Sequence, residues 1–149
     1  NNGFDAASVV SHTFSAPIVA PVSADELKAY AAEVRYSHEI AGATLDLGGG
    51  VVIPVPTDRG GRVALINSRD MLAAGELVDT DGNVLTSVKF CVGNISMDLT
   101  EAQMTALVIR SGQHVQAQFA VQATVYAAIE SETVTTKDQI EAAEWPVLA

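Results

Sequence analysis

The feature that most constrains this sequence is a run from Thr100 to about Ser131 that carries helical periodicity. Thr100-Glu101-Ala102-Gln103 has the spacing of a capping box, in which a hydroxyl and a side-chain amide satisfy free backbone donors reciprocally. Met104, Leu107, Val108, Val115, Phe119, Tyr126 and Ile129 follow as one apolar stripe. Phe119 is therefore expected in the core. Gly112 weakens the run by about 1 kcal/mol relative to Ala without ending it. A helix that is apolar on one side has to bury that side against a second layer.

The remaining segments have to supply that layer. Ser23 followed by Glu26 opens a first helix with Leu27, Tyr30, Ala31 and Val34 at helical spacing, fading near Gly42. Residues 43–47 and 51–55 read as a hairpin around Gly48-Gly49-Gly50, with Pro54 and Pro56 placing the second run at an edge. Residues 57–62 read as a polar turn before a second helix at about 63–74, with Leu65, Ile66, Met71 and Leu72 on its apolar side and Gly75 at its end. A turn at Asp81-Gly82-Asn83 precedes short strands at 86–92 and 95–99, joined through Gly93-Asn94. Thr136-Lys137-Asp138-Gln139 caps a last short helix carrying Ile140, closed by Pro146 after Trp145.

Residues 1–22 differ from a solvated linker. Pro17 and Pro21 impose extended geometry, yet Val9, Val10, Phe14, Ile18, Val19 and Val22 are apolar. Such a segment either covers its own domain as an edge strand or packs on a neighbouring subunit. The expected fold is α+β: an extended N-terminal arm (1–22), then one domain (23–149). In that domain one long helix and two or three shorter ones pack on a small, mostly antiparallel sheet.

Composition narrows the function classes. The chain has 149 residues, which suits one domain. It is 48% hydrophobic but only 5% aromatic, so its core is expected to be built from small side chains. The net charge is -10, and Lys28, Arg35, Arg59, Arg62, Lys89 and Arg110 are scattered. That balance disfavours nucleic acid and anionic membrane surfaces as partners. No apolar stretch approaches the ~18 residues of a membrane span. Residues 14–22 lack the basic region of a secretory signal.

Side-chain chemistry points to no reaction. Cys91 is alone and sits among Val88, Phe90 and Val92, which implies a buried small hydrophobe rather than a reactive thiol. His12, His38 and His114 have no second histidine at i+3 or i+4. From Asp79, Gly82 falls fourth and Phe90 twelfth, so the Asp79-to-Asn83 run breaks calcium-loop spacing and reads as a turn. Gly48-Gly49-Gly50 lacks the Lys-Ser/Thr of a phosphate loop, and no Gly-x-Ser-x-Gly elbow occurs. No catalytic residue, metal or cofactor is expected. A small hydrolase would need a cleft bringing His114 or His38 against Cys91 or a carboxylate.

From about Leu27 to Pro146 the order of features resembles a domain of unknown function found in tail-region proteins of tailed bacteriophages and prophages. The pieces are the opening helix, the glycine hairpin and the Thr57-Asp58-Arg59 turn with Arg62. They continue with Ala74-Gly75, the Val92-to-Thr100 strand entering the long helix, His114 and Phe119, Ile129-Glu130-Ser131, and Trp145-Pro146. Phe90, where a tryptophan is expected, and the doubled Gly60-Gly61 depart from that pattern. The resemblance implies a structural or interaction protein of the virion, associated with tail, fibre or baseplate and assembled in the host cytoplasm. Its partners would be other tail subunits or further copies of itself. A tail-fibre assembly factor not retained in the virion is the alternative. Phe14, Ile18, Val19, Arg59 and Arg62 are the candidate contact residues.

Overall fold

The computed structural model describes residues 20–149. Among them the elements run α1 (Ala24–Ile40), β1 (Ala43–Asp46), β2 (Val52–Val55), α2 (Arg59–Ala73), β3 (Ser87–Val92), β4 (Ile95–Thr100), α3 (Glu101–Glu130) and α4 (Lys137–Glu141). The fold is α+β. In place of one small sheet stand two separate antiparallel hairpins, β1–β2 and β3–β4. Of the expected arm (1–22), residues 1–19, with Phe14, Ile18 and Val19, lie outside the described residues, and residues 20–22 form no helix or strand.

Three helices begin where the capping boxes place them. Ser23 accepts from the Glu26 amide at 3.2 Å while Glu26 accepts from the Ser23 amide at 2.8 Å, and Thr100 with Gln103 and Thr136 with Gln139 repeat the arrangement. The second helix corrects the expectation. The polar stretch read as a turn is its first turn, because the Asp58 carboxylate caps it by accepting from the Gly61 amide at 2.9 Å. Glycines that suggest a turn are overridden by the cap. The tight turn between β1 and β2 does use glycine: Gly48, Gly49 and Gly50 all have positive φ.

Strand alternation sorts the side chains. In β3–β4 the pairs Val88↔Leu99, Phe90↔Met97 and Val92↔Ile95 belong to the apolar core, whereas Lys89↔Asp98 and Cys91↔Ser96 take the other face. Cys91 is thus exposed, against the expectation that it is buried. Its apolar neighbours in sequence point the other way.

The long helix serves two apolar clusters. Near its start, Met104 and Leu107 pack with Ala43, Ile53, Val55, Leu65, Phe90 and Leu99. Near its end, Val125 and Ile129 pack with Leu27, Ala31, Ile140 and Trp145. A helix of 30 residues is about 45 Å long, more than one core of small side chains covers. Phe119 is 44% exposed, which corrects its assignment to the core. The core phase at that turn belongs to its neighbour Gln118, which is fully buried. Tyr126 is half-buried. On α2 the buried pair Leu65 and Leu72 marks the core side, and Ile66 and Met71, each one position off it, are exposed.

Gly61 lies where α2 meets the chain leaving β2. A Cβ there would stand 2.5 Å from the Pro56 Cβ and 2.7 Å from Asp58 Oδ1, whereas one on Gly60 would meet only Asp58 Oδ2 at 3.3 Å. Gly61→Ala is expected to destabilise the fold by about 1–3 kcal/mol through overpacking. Gly60→Ala is expected to stay within about 1 kcal/mol of the parent. Urea unfolding of the two variants checks the contrast.

Candidate interaction surface

The candidate contact residues that the structure describes sit on α2. Arg59 and Arg62 lie in its first turn, and Arg59 is exposed. Among the described residues no carboxylate lies within 4 Å of either guanidinium, whereas Lys28, Arg35, Arg69 and Lys89 each pair with one. Two cations near the positive end of a helix dipole cost roughly a few tenths of a kcal/mol each. They are not there to stabilise the helix. Val63, Ile66 and Met71 on the same helix are exposed, as are Val78 and Val84 in the turn that follows.

Beside α2 lies the hairpin β3–β4. A cleft of about 260 Å³ separates the two, walled on one side by Gly61, Ala64, Leu65 and Ser68 and on the other by residues 88–92. That volume falls below the ~300–1,000 Å³ of a small-molecule pocket. A second cleft, of about 470 Å³, runs between α1 and α4 past Tyr30, Glu33, Val34, His38 and Glu141. The Tyr30 hydroxyl donates to Glu141 there, and that bond raises the tyrosine pKa.

His114 turns inward to backbone, and His38 stacks on an indole. His114 is buried, and its Nε2 stands 2.9 Å from the His38 carbonyl oxygen. A carbonyl only accepts, so Nε2 carries the proton. The His38 ring stacks on Trp145 with centroids 5.6 Å apart. Among the described residues no carboxylate lies within 4 Å of either imidazole, and the Cys91 thiol meets the Ser96 hydroxyl at 3.4 Å. The His–Cys or His–carboxylate pair that a hydrolase would need is not assembled at these positions. His12 lies outside the described residues. Asp79 closes its turn by accepting from the Asp81 and Asn83 amides, and the Asn83 side chain is the main cause of its lowered pKa.

Buried polar residues escaped the sequence reading. Ser111 donates to the Pro56 carbonyl at 2.8 Å and Gln118 to the Pro146 carbonyl at 2.6 Å. Thr57, also buried, donates to the Glu39 carbonyl and accepts from the Gly42 amide at 3.0 Å. Their signal was phase: 111, 114 and 118 fall on the core side between Leu107 and Val125.

The stretch that holds all these elements matches, over residues 23–144, the family described as Domain of unknown function (DUF4376). The chain belongs to this family. The DUF4376 match opens on Ser23, the residue that caps α1, and takes in both hairpins and every helix among the described residues. No curated protein and no solved structure matches the chain.

Phe119 and Gln118 provide a test of this arrangement. Phe119 is half in water with the Arg35 guanidinium 4.2 Å above its ring, so Phe119→Ala is expected to cost about 1 kcal/mol. Gln118→Ala leaves a buried carbonyl without its donor and is expected to cost about 2–3 kcal/mol. Denaturant unfolding should rank the amide truncation above the aromatic one.

Proposed function

We propose that this DUF4376 chain is a contact-making structural component of a tailed-phage virion, in the tail, fibre or baseplate region, and not an enzyme. The observation that carries the reading is the exposed surface of α2. It carries two arginines with no carboxylate within 4 Å among the described residues, together with exposed Val63, Ile66 and Met71. Cations left without a carboxylate in an acidic protein suit a partner that carries carboxylates. The remaining tail subunits, or further copies of this chain with its net charge of -10, fit that description. The tail placement rests on the resemblance of the ordered motifs from Leu27 to Pro146.

Mass spectrometry of purified particles tests the placement. Peptides of this chain are expected in the tail fraction at a fixed ratio to other tail subunits. Their absence from particles, with recovery alongside a fibre protein during assembly, would replace this reading with that of an assembly factor. Arg59→Glu with Arg62→Glu tests the face itself. The double variant should unfold at the parent's urea midpoint and bind its tail partner about tenfold more weakly or worse.

A further inference from the structure

Opposite the side that buries Leu107, Ser111, Gln118 and Val125, α3 turns a second face to solvent. Ile109, Gln113, Gln116, Ala120, Ala123 and Ala127 are all exposed there, Ile109 by 54%. Steps of four and three alternate along them, the spacing by which one helix follows another over many turns. No charged side chain stands on this face. Among Asp, Glu, Lys and Arg, only Arg110 occurs between Glu101 and Glu130, and it turns aside to the Thr44 carbonyl at 2.9 Å. The solvated face of a helix is ordinarily its charged one. In a chain with a net charge of -10, an uncharged exposed face that runs about 38 Å from Ala102 to Ala127 calls for a cover.

We propose that a second copy of the chain covers this face, its α3 packed antiparallel to the first about a twofold axis midway between Gln113 and Gln116. The inference rests on the contact-protein reading and names one of its partners. The order of the side chains selects the occupant. In that register Gln113 meets Gln116 of the other copy, and each carboxamide has both a donor and an acceptor to offer. Ile109, the large apolar side chain of the face, meets Ala120, a small one. Ala106 meets Ala123, and Ala102 meets Ala127. A twofold contact requires one patch to complement itself, and this patch does so in size and in polarity. Parallel packing would instead set Ile109 on Ile109 and bring Glu101 to Glu101 and Glu130 to Glu130. Antiparallel packing holds those like charges apart.

Gly112 supplies an independent observation. Glycine weakens a helix, and the fold gives no reason for it here, since nothing lies within 4 Å of where its Cβ would stand. It flanks the uncharged face, and in the antiparallel register it stands against Ala117 of the other copy. Small residues on both sides let two helix axes approach to about 8 Å, the near end of the usual range. Copies of so acidic a chain repel one another wherever acid meets acid, and this face brings none to the contact. A helix about 45 Å long and 10–12 Å wide offers roughly 1,000 Å² over the two copies. That is the lower bound of a specific interface, so the dimer is expected at micromolar concentrations.

Sedimentation equilibrium of the full chain at tens of micromolar should give the mass of a dimer. Ala120→Glu sets a carboxylate against Ile109 of the other copy and should weaken the dimer about tenfold or more. Ala120 is exposed, so the variant should unfold at the parent's urea midpoint. Disulfide trapping reads the register. With Cys91, the single cysteine, replaced by Ser, an equimolar mixture of the Ile109→Cys and Ala120→Cys chains should link position 109 of one copy to 120 of the other under mild oxidation. Neither variant alone should link to itself, because like positions lie roughly 16 Å apart along the axis. Efficient self-linking of Ile109→Cys, or no link in the mixture, overturns the antiparallel register. A dimer that Ala120→Glu leaves intact overturns this face but leaves the contact-protein reading in place. A chain that stays monomeric at those concentrations overturns the inference, and particle mass spectrometry then decides the broader reading separately.

Discussion

The carbonyls in the last turn of α1 have no intrahelical partners, and the arrangement of the whole molecule follows from where those groups find donors. His38 and Glu39 end a helix whose C-cap, Ala41, offers the His38 carbonyl a backbone bond of only 3.4 Å. His114 from α3 and Thr57 from the loop after β2 supply the missing donors. The same stretch of α3 holds two more stray carbonyls, Pro56 through Ser111 and Pro146 through Gln118. Arg110 adds a 2.9 Å bond to the Thr44 carbonyl and a contact with the chain end at Ala149. Buried polar groups left unmade cost about 1–3 kcal/mol each, so this belt fixes the relative placement of α1, β1, the loop before α2 and the C-terminal tail.

That belt lies between the two apolar clusters and separates their tasks. The cluster at the start of α3 carries both hairpins and α2. The cluster at its end clamps α1 and α4, next to which the described chain begins at Ala20. The two clusters thus take opposite ends of one long helix.

How much of this was legible in the sequence depended on the kind of signal. The boxes at Ser23, Thr100 and Thr136 announced three helix starts because their chemistry is local. The hairpin glycines are equally local. Residue type places Cys91 in a buried apolar run, whereas strand alternation turns it outward with Lys89. The start of α2 was obscured by Gly60-Gly61, whose turn propensity hid the Asp58 cap. Residue type places Phe119 in the core, but the phase of the helix turns Gln118 inward and Phe119 toward Arg35. Ser111, His114 and Gln118 are polar, and a search for an apolar stripe passes over them. Their partners are carbonyls 28 to 76 positions away in sequence, and no local pattern encodes such a pairing. Arg59 and Arg62 are legible in the sequence as charges, but their lack of carboxylate neighbours among the described residues is a tertiary property.

The central claim is that α3 holds its neighbours through side-chain donors to stray carbonyls, and His114 reports on it most directly. Nitrogen-resolved NMR of the imidazole distinguishes the tautomers and measures exchange of the ring proton. The account predicts the Nε2–H form, with that proton protected from solvent exchange as the surrounding core amides are. A ring protonated on Nδ1 alone, or an Nε2 proton exchanging as freely as that of an exposed histidine, would contradict it.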